Sequence, residues 1–196
     1  MAIRSLFIFY ALFFLLLGWQ VADRTVWYAE VIPLLCVYLL LLLTMRVFRF
    51  SLLSYIAVFI PLMWHTVGAH YTFSQVPFSF VMDWLGLERN PYDRIGHFMV
   101  GFFVLPVSEY LIRHRLSTRL VAVFFAVFAI GTVAAVYEII EWGYAALEGG
   151  QSGISFLGAQ GDVWDAQKDM LADLLGALLT APLAYVYQRR MNITEP

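Results

Sequence analysis

Charge is what this sequence has least of. Asp, Glu, Lys and Arg make up 13% of its 196 residues, against roughly a quarter in soluble globular domains. That scarcity excludes a disordered chain, which combines high charge with little hydrophobicity, and it excludes a soluble cytosolic enzyme. Basic excess is missing too. The 12 Lys and Arg stand against 14 Asp and Glu, so no positive surface recruits a phosphate backbone, and nucleic acid is excluded as a partner. Cysteine occurs once, as Cys36, which rules out an internal disulfide and a cysteine metal cage. The chain holds no His-Glu-x-x-His, no Gly-x-Ser-x-Gly and no Walker-type loop. It has no internal repeat, low-complexity tract or second domain.

Apolar residues fill that space. They make up 62% of the chain, and the mean hydropathy is +0.76. A helix needs about 20 mostly apolar residues to cross a bilayer core. Six segments meet or approach that length: 5–22, 29–45, 52–71, 95–112, 120–147 and 166–188. The expected fold class is therefore all-α, a polytopic membrane protein of about six transmembrane helices in a single bundle domain over residues 1–196. Arg4 precedes the first apolar run as in a signal peptide, but Trp19 to Asp23 offers no small-residue cleavage site, so a retained helix is expected. Prolines 33, 61, 106 and 182 fall inside four of the helices, where they imply packing kinks.

Orientation follows from the basic residues. With the N-terminus in the cytoplasm, inside segments carry Arg4, Arg46, Arg49, Arg113, Arg115, Arg119, Arg189 and Arg190, and outside segments carry Arg24, Arg89, Arg94 and Lys168. Both termini are expected in the cytoplasm. Most acids, Glu30 among them, then fall outside. Two outer connections are long. Residues 72–90 hold an aromatic cluster suited to a short interfacial helix. Residues 148–162 contain five glycines and read as an open loop, or as backbone that lets a ligand come close.

Charged groups within a membrane mark function by default. At ~1.5 Å of rise per residue, four helices bring such groups to one layer near the outer face. The fourth helix offers Asp93 and His97, one turn apart, with the carboxylate able to orient the ring. The fifth offers Glu138 and Glu141. The sixth offers Asp165, Asp169 and Asp173 on one stripe, with Asp162 ahead of it. A first-turn Asp often caps its helix, which explains Asp162 or Asp165 but neither Asp169 nor Asp173. The third helix adds His65 and, nearer the interface, His70. These acids face few cations, namely Arg94 and Lys168, and several carboxylates in one low-dielectric site need protons, a metal ion or a cationic ligand. Glu109 stands apart near the inner face, four residues before Arg113, in the spacing of a structural ion pair.

The segments Asp93-Arg94-Ile95-Gly96-His97-Phe98, Tyr137-Glu138-Ile139-Ile140-Glu141-Trp142 and the run from Gly161 through Asp169-Met170 to Asp173 and Gly176-Ala177 carry a resemblance. Over residues 93–179 the chain resembles the YjdF-like family of uncharacterised bacterial inner-membrane proteins. More distantly it is similar to VanZ-like proteins, in which Asn commonly stands at the position of Asp173 and Gln at that of Glu141. The resemblance implies a multi-pass protein of the bacterial inner (plasma) membrane with about six helices. It brings no established activity. The association of VanZ-like proteins with glycopeptide-antibiotic tolerance points towards envelope lipids or wall precursors.

Three function classes stand open. In the first, the layer is a divalent-metal site acting on an envelope lipid or lipid-linked precursor. Glu138, Glu141, Asp165 and Asp169 are then candidate ligands for Mg²⁺, Mn²⁺, Zn²⁺ or Ca²⁺. His97 serves as general base, oriented by Asp93, with His65, Asp162 and Asp173 completing the polar cluster. In the second, Asp169, Asp173 and His97 form a descending proton relay of a transporter. Six helices without an inverted repeat then call for a homodimer, and the small stripe Ala172, Gly176 and Thr180 suits close packing of another helix. In the third, the cluster only holds together a non-catalytic envelope partner or sensor. Membrane lipids are expected partners in all three. Serine nucleophiles are poorly supported, because Ser108 lies deep beside Glu109, and Ser152 and Ser155 have no histidine beside them.

Overall fold

A computed structural model describes residues 2–191, the side chains of Gln151 and Ser152 excepted. The described residues form helices α1 (Ala2–Leu17), α2 (Arg24–Thr44), α3 (Leu52–Tyr71), α4 (Ser79–Leu85), α5 (Tyr92–Val100), α6 (Val104–Arg113), α7 (Arg119–Glu148), α8 (Gly150–Leu157) and α9 (Asp165–Arg190), with no strand among them. Five spans are long and apolar enough to cross a membrane: α2, α3, α5 with α6, α7 and α9. The sixth apolar helix, α1, is shorter. It ends at Leu17 rather than Ala22, because Gln20 takes a positive φ of 54° and Asp23 starts the next helix. The Asp23 carboxylate accepts the N–H groups of Thr25 and Val26, so α2 begins at Arg24, five residues before the expected start. The end of α3 ties this corner down, with His70 Nδ1 2.6 Å from the Leu17 carbonyl and the Ala22 N–H on the His70 carbonyl. His70 therefore has a structural job, away from the polar layer.

Two sub-bundles result. Phe7, Tyr10, Trp27, Leu34, Tyr55 and Phe59 form the core of α1, α2 and α3. Val104, Ala126, Ile130, Ala177 and Ala184 form the core of the half built from α6, α7 and α9. The halves join where α3 lies along α5 and α6. On the other side α2 leans on α3 and α8 rather than along α7, which leaves a cleft. The expected glycine-rich loop is instead helix α8, bounded by Gly149 and Gly158 at positive φ. It packs on α7 and reaches α2 across the end of the cleft. The short helix expected within 72–90 is α4, with Phe80, Trp84 and Leu85 exposed.

The fourth span is broken by a 3₁₀ turn, Gly101–Phe103. Pro106 sits in the first turn of α6, where a missing N–H is tolerated. At this break α5 and α9 touch backbone to backbone. A Cβ on Gly176 would collide with the Phe98 carbonyl oxygen, and one on Gly101 with the Gly176 backbone. The small stripe Ala172, Gly176 and Thr180 thus packs another helix closely, as its residues suggest, with its alanine and threonine also buried. Gly176→Ala is expected to destabilise the protein by about 1–3 kcal/mol through overpacking. Thermal unfolding in detergent checks this, and Gly143→Ala, where a Cβ meets nothing, serves as its control.

At the end of the bundle opposite the acidic layer, Glu109 is 1% exposed. It pairs with Arg113 at 2.8 Å, as its spacing suggests. It also accepts the Ser51 N–H and hydroxyl, both at 2.8 Å, and the Ser54 hydroxyl. Ser108 bonds the Val104 carbonyl and the Gln188 side chain, a packing role and not a nucleophile's. Ser155 lies on α8, and the side chain of Ser152 falls outside the described residues.

Candidate functional site

The α9 stripe, the first two turns of α5 and the last third of α7 bring the expected residues to one end of the bundle. Asn90 starts α5 there: its side-chain oxygen accepts the Tyr92 N–H, and its amide donates to the Ser74 and Val76 carbonyls. Asp93 and His97 then point one turn apart into the space between α7 and α9.

The rim of the site is an ion network. Arg94 donates from Nη2 to Asp165 Oδ1 at 2.7 Å and from Nε to Asp169 Oδ1 at 3.0 Å. Arg89 donates to the same Asp165 oxygen and lies 3.4 Å from Asp162 and 3.9 Å from Asp93. Lys168 pairs with Asp162 at 2.7 Å. That ammonium and the Trp164 N–H hold the Asp162 carboxyl below its usual range, at about 2, so it stays ionised as a rim anion. Asp165 is thus occupied by two guanidinium groups. Arg89 was not among the expected cations, since it lies ahead of α5 and meets α9 from more than seventy residues away.

Below the rim lies His97, 9% exposed. Its Nδ1 is 2.9 Å from Asp173 Oδ2. Its Nε2 faces Asp93 Oδ1 at 3.7 Å and Glu138 Oε1 at 3.9 Å. The carboxylate that orients the ring is therefore Asp173, while Asp93 shares the open side with Glu138. The Glu138 side chain is 10% exposed, and its Oε1 is buried with no hydrogen-bond partner. Asp93, His97 and Asp169 each bring one ligand atom to within 4.8 Å of the others. Glu141 is buried and lines the adjoining cavity.

A second His–carboxylate pair stands across that cavity. Glu30, 1% exposed, lies 2.9 Å from His65 Nε2 and accepts the Tyr137 hydroxyl at 3.1 Å. His65 is where the sequence put it. A helix beginning at Ala29 leaves Glu30 at the membrane surface; with the Asp23 cap, it is the seventh residue of α2 and lies ~9 Å inside it. The cap motif, an Asp followed by a helix-length run, was the signal. The cavity itself holds about 340 Å³, within the ~300–1,000 Å³ typical of small-molecule sites. His65, Asp93, His97, Tyr137, Glu141 and Asp173 line its polar end, and the rest is apolar.

Comparison with known proteins places the chain. A family model described as "Predicted membrane protein (DUF2238)" matches residues 2–190. The chain belongs to this family. It is also 43% identical over 166 residues to the inner membrane protein YjdF of Escherichia coli (strain K12), covering 83% of this chain and 79% of that one. These matches support the YjdF-like resemblance and do not extend to VanZ-like proteins. No solved structure matches the chain. The protein is thus a multi-pass integral protein of the inner membrane, from a family without an assigned activity.

Proposed function

We propose that the protein is a divalent-metal-dependent enzyme acting on the headgroup of an envelope lipid or lipid-linked precursor. The metal would bind at His97 Nε2, Asp93 and Asp169. The observation that carries this reading is the His97 geometry. Asp173 holds one ring nitrogen at 2.9 Å and turns the other towards two carboxylates, one of which has a buried oxygen without a partner. A carboxylate behind a ligating histidine is the usual support of a metal site. Asp169 gives one oxygen to Arg94 and has a second to offer. One imidazole with hard oxygens suits Mn²⁺, Zn²⁺ or Mg²⁺.

The bound ion would polarise a headgroup oxygen and acidify water. Glu138 would take a proton from that water, and Arg89 and Arg94 would fix the rim. This reassigns the expected roles. His97 becomes a ligand, Glu138 the base, and Asp165 a rim anion. The excess of arginine at the opposite end would put the site on the periplasmic side.

Two rival readings are less supported. A proton relay needs groups that continue across the membrane. Along the fourth span no carboxylate or imidazole lies between His97 and Glu109, which are ~18 Å apart. A purely structural network accounts for the paired rim but leaves Glu138 unexplained. The deciding experiment incubates the purified protein with inner-membrane lipid extract and follows headgroup loss by mass spectrometry. Turnover that needs added Mn²⁺, Zn²⁺ or Mg²⁺ and stops with EDTA is expected. No metal-dependent product and no thermal stabilisation by any of these ions would refute the reading.

A further inference from the structure

The cavity beside His97 is polar at one end and apolar along the rest of its length, and its two ends lead to different places. At the polar end it is covered. There the Tyr137 hydroxyl of α7 reaches Glu30 on α2 at 3.1 Å, and helix α8 also joins α7 to α2. On its flank it is open. Leu34 and Val37 of α2 line one wall, Ile130 and Val133 of α7 the other, and Phe103 and Val107 the back. Val133 lines the cavity and is 56% exposed, so the opening faces the bilayer between α2 and α7, at the seam where the two sub-bundles do not pack.

From this geometry we infer that the cavity is the binding site for one hydrocarbon chain of an amphiphile, which enters sideways from the bilayer between α2 and α7. Its headgroup then rests among His97, Asp93 and Glu141 beneath the Tyr137–Glu30 clasp. An apolar trough ending in a buried polar cluster excludes a wholly polar substrate, because such a molecule would leave its polar atoms unpaired along the trough. It also excludes a purely hydrocarbon ligand, which gains nothing from the cluster. An acyl lipid and a polyprenyl phosphate share the required chemistry. The inference names the substrate class of the proposed enzyme and rests on that reading for the headgroup alone; the chain site stands without a metal.

The test uses the full-length protein in detergent and a diazirine-bearing palmitic acid probe, with labelled residues mapped by peptide mass spectrometry. Labelling is expected on 33–37 of α2 and 129–134 of α7, and it should persist in EDTA. Val133→Trp, which plugs an exposed opening without disturbing the core, should cut this labelling at least tenfold. Val136→Trp, also exposed but outside the cavity, should leave it unchanged. Excess diacyl phospholipid or excess polyprenyl phosphate should displace the probe, and the one that does so at lower concentration identifies the natural chain. Equal labelling in Val133→Trp, labelling confined to outward residues such as Leu178 and Leu179, or displacement by neither lipid would overturn the inference. Loss of metal-dependent turnover with cavity labelling intact would count against the metal centre only.

Discussion

Asp173→Asn is expected to weaken divalent-metal affinity about 10–100-fold while leaving the fold intact, the usual consequence of altering the group behind a ligating histidine. His97→Ala, which removes a ligand outright, should weaken it by more than 100-fold. Asp173 is 1% exposed and sits 2.9 Å from Nδ1, so it sets both the tautomer and the ring plane that aims Nε2 at Asp93 and Glu138. An amide of the same shape still fills the space and still offers an oxygen, but it withdraws the charge. His97→Ala does more harm to stability, because it leaves the Asp173 carboxylate buried without its partner. The asparagine variant is therefore the cleaner one. Thermal stabilisation by titrated Mn²⁺ measures both. If Asp173→Asn binds Mn²⁺ like the unaltered protein, His97 is a packing histidine and the proposed ligand set is wrong.

Glu109→Ala should show the opposite signature: a loss of about 3–5 kcal/mol of stability, as for other broken buried ion pairs, with metal affinity unaltered. Glu109 gathers Arg113, the Ser51 N–H and hydroxyl, and the Ser54 hydroxyl around one buried carboxylate. It thereby binds the start of α3 to the end of α6. Truncation leaves four donors facing an empty space at the junction of the two sub-bundles. Unfolding by SDS titration, compared with Leu116→Ala at an exposed site, gives the magnitude. The contrast between the two ends separates a carboxylate kept for stability from carboxylates kept for chemistry.

The spans were legible because a bilayer imposes one length and one composition on every helix that crosses it. The stripe of Asp165, Asp169 and Asp173 was legible for a related reason, since helical periodicity puts residues four apart on one face whatever surrounds them. Partnership was harder to read. Arg89 and Glu30 reach the site only because α2 and the loop before α5 are folded against distant helices, and no local pattern encodes that. Which carboxylate orients His97 was equally hidden. Asp93 is its neighbour in sequence, yet Asp173 is its partner at hydrogen-bond distance. The glycines of 148–162 suggested freedom, whereas Gly149 and Gly158 delimit a helix that contacts both α7 and α2. Gly176 was legible as a point of close helix packing, but not that the helix it meets is α5.

In the proposed function the buried His–carboxylate cluster holds a divalent metal ion. Elemental analysis by inductively coupled plasma mass spectrometry, on protein purified without chelators beside Asp169→Asn purified in the same way, tests it most directly. Close to one Mn, Zn or Mg per chain is expected in the unaltered protein, and a several-fold lower content in a variant with the same unfolding temperature in EDTA. Equal metal content in the two, or none in either even after incubation with each ion, would contradict it.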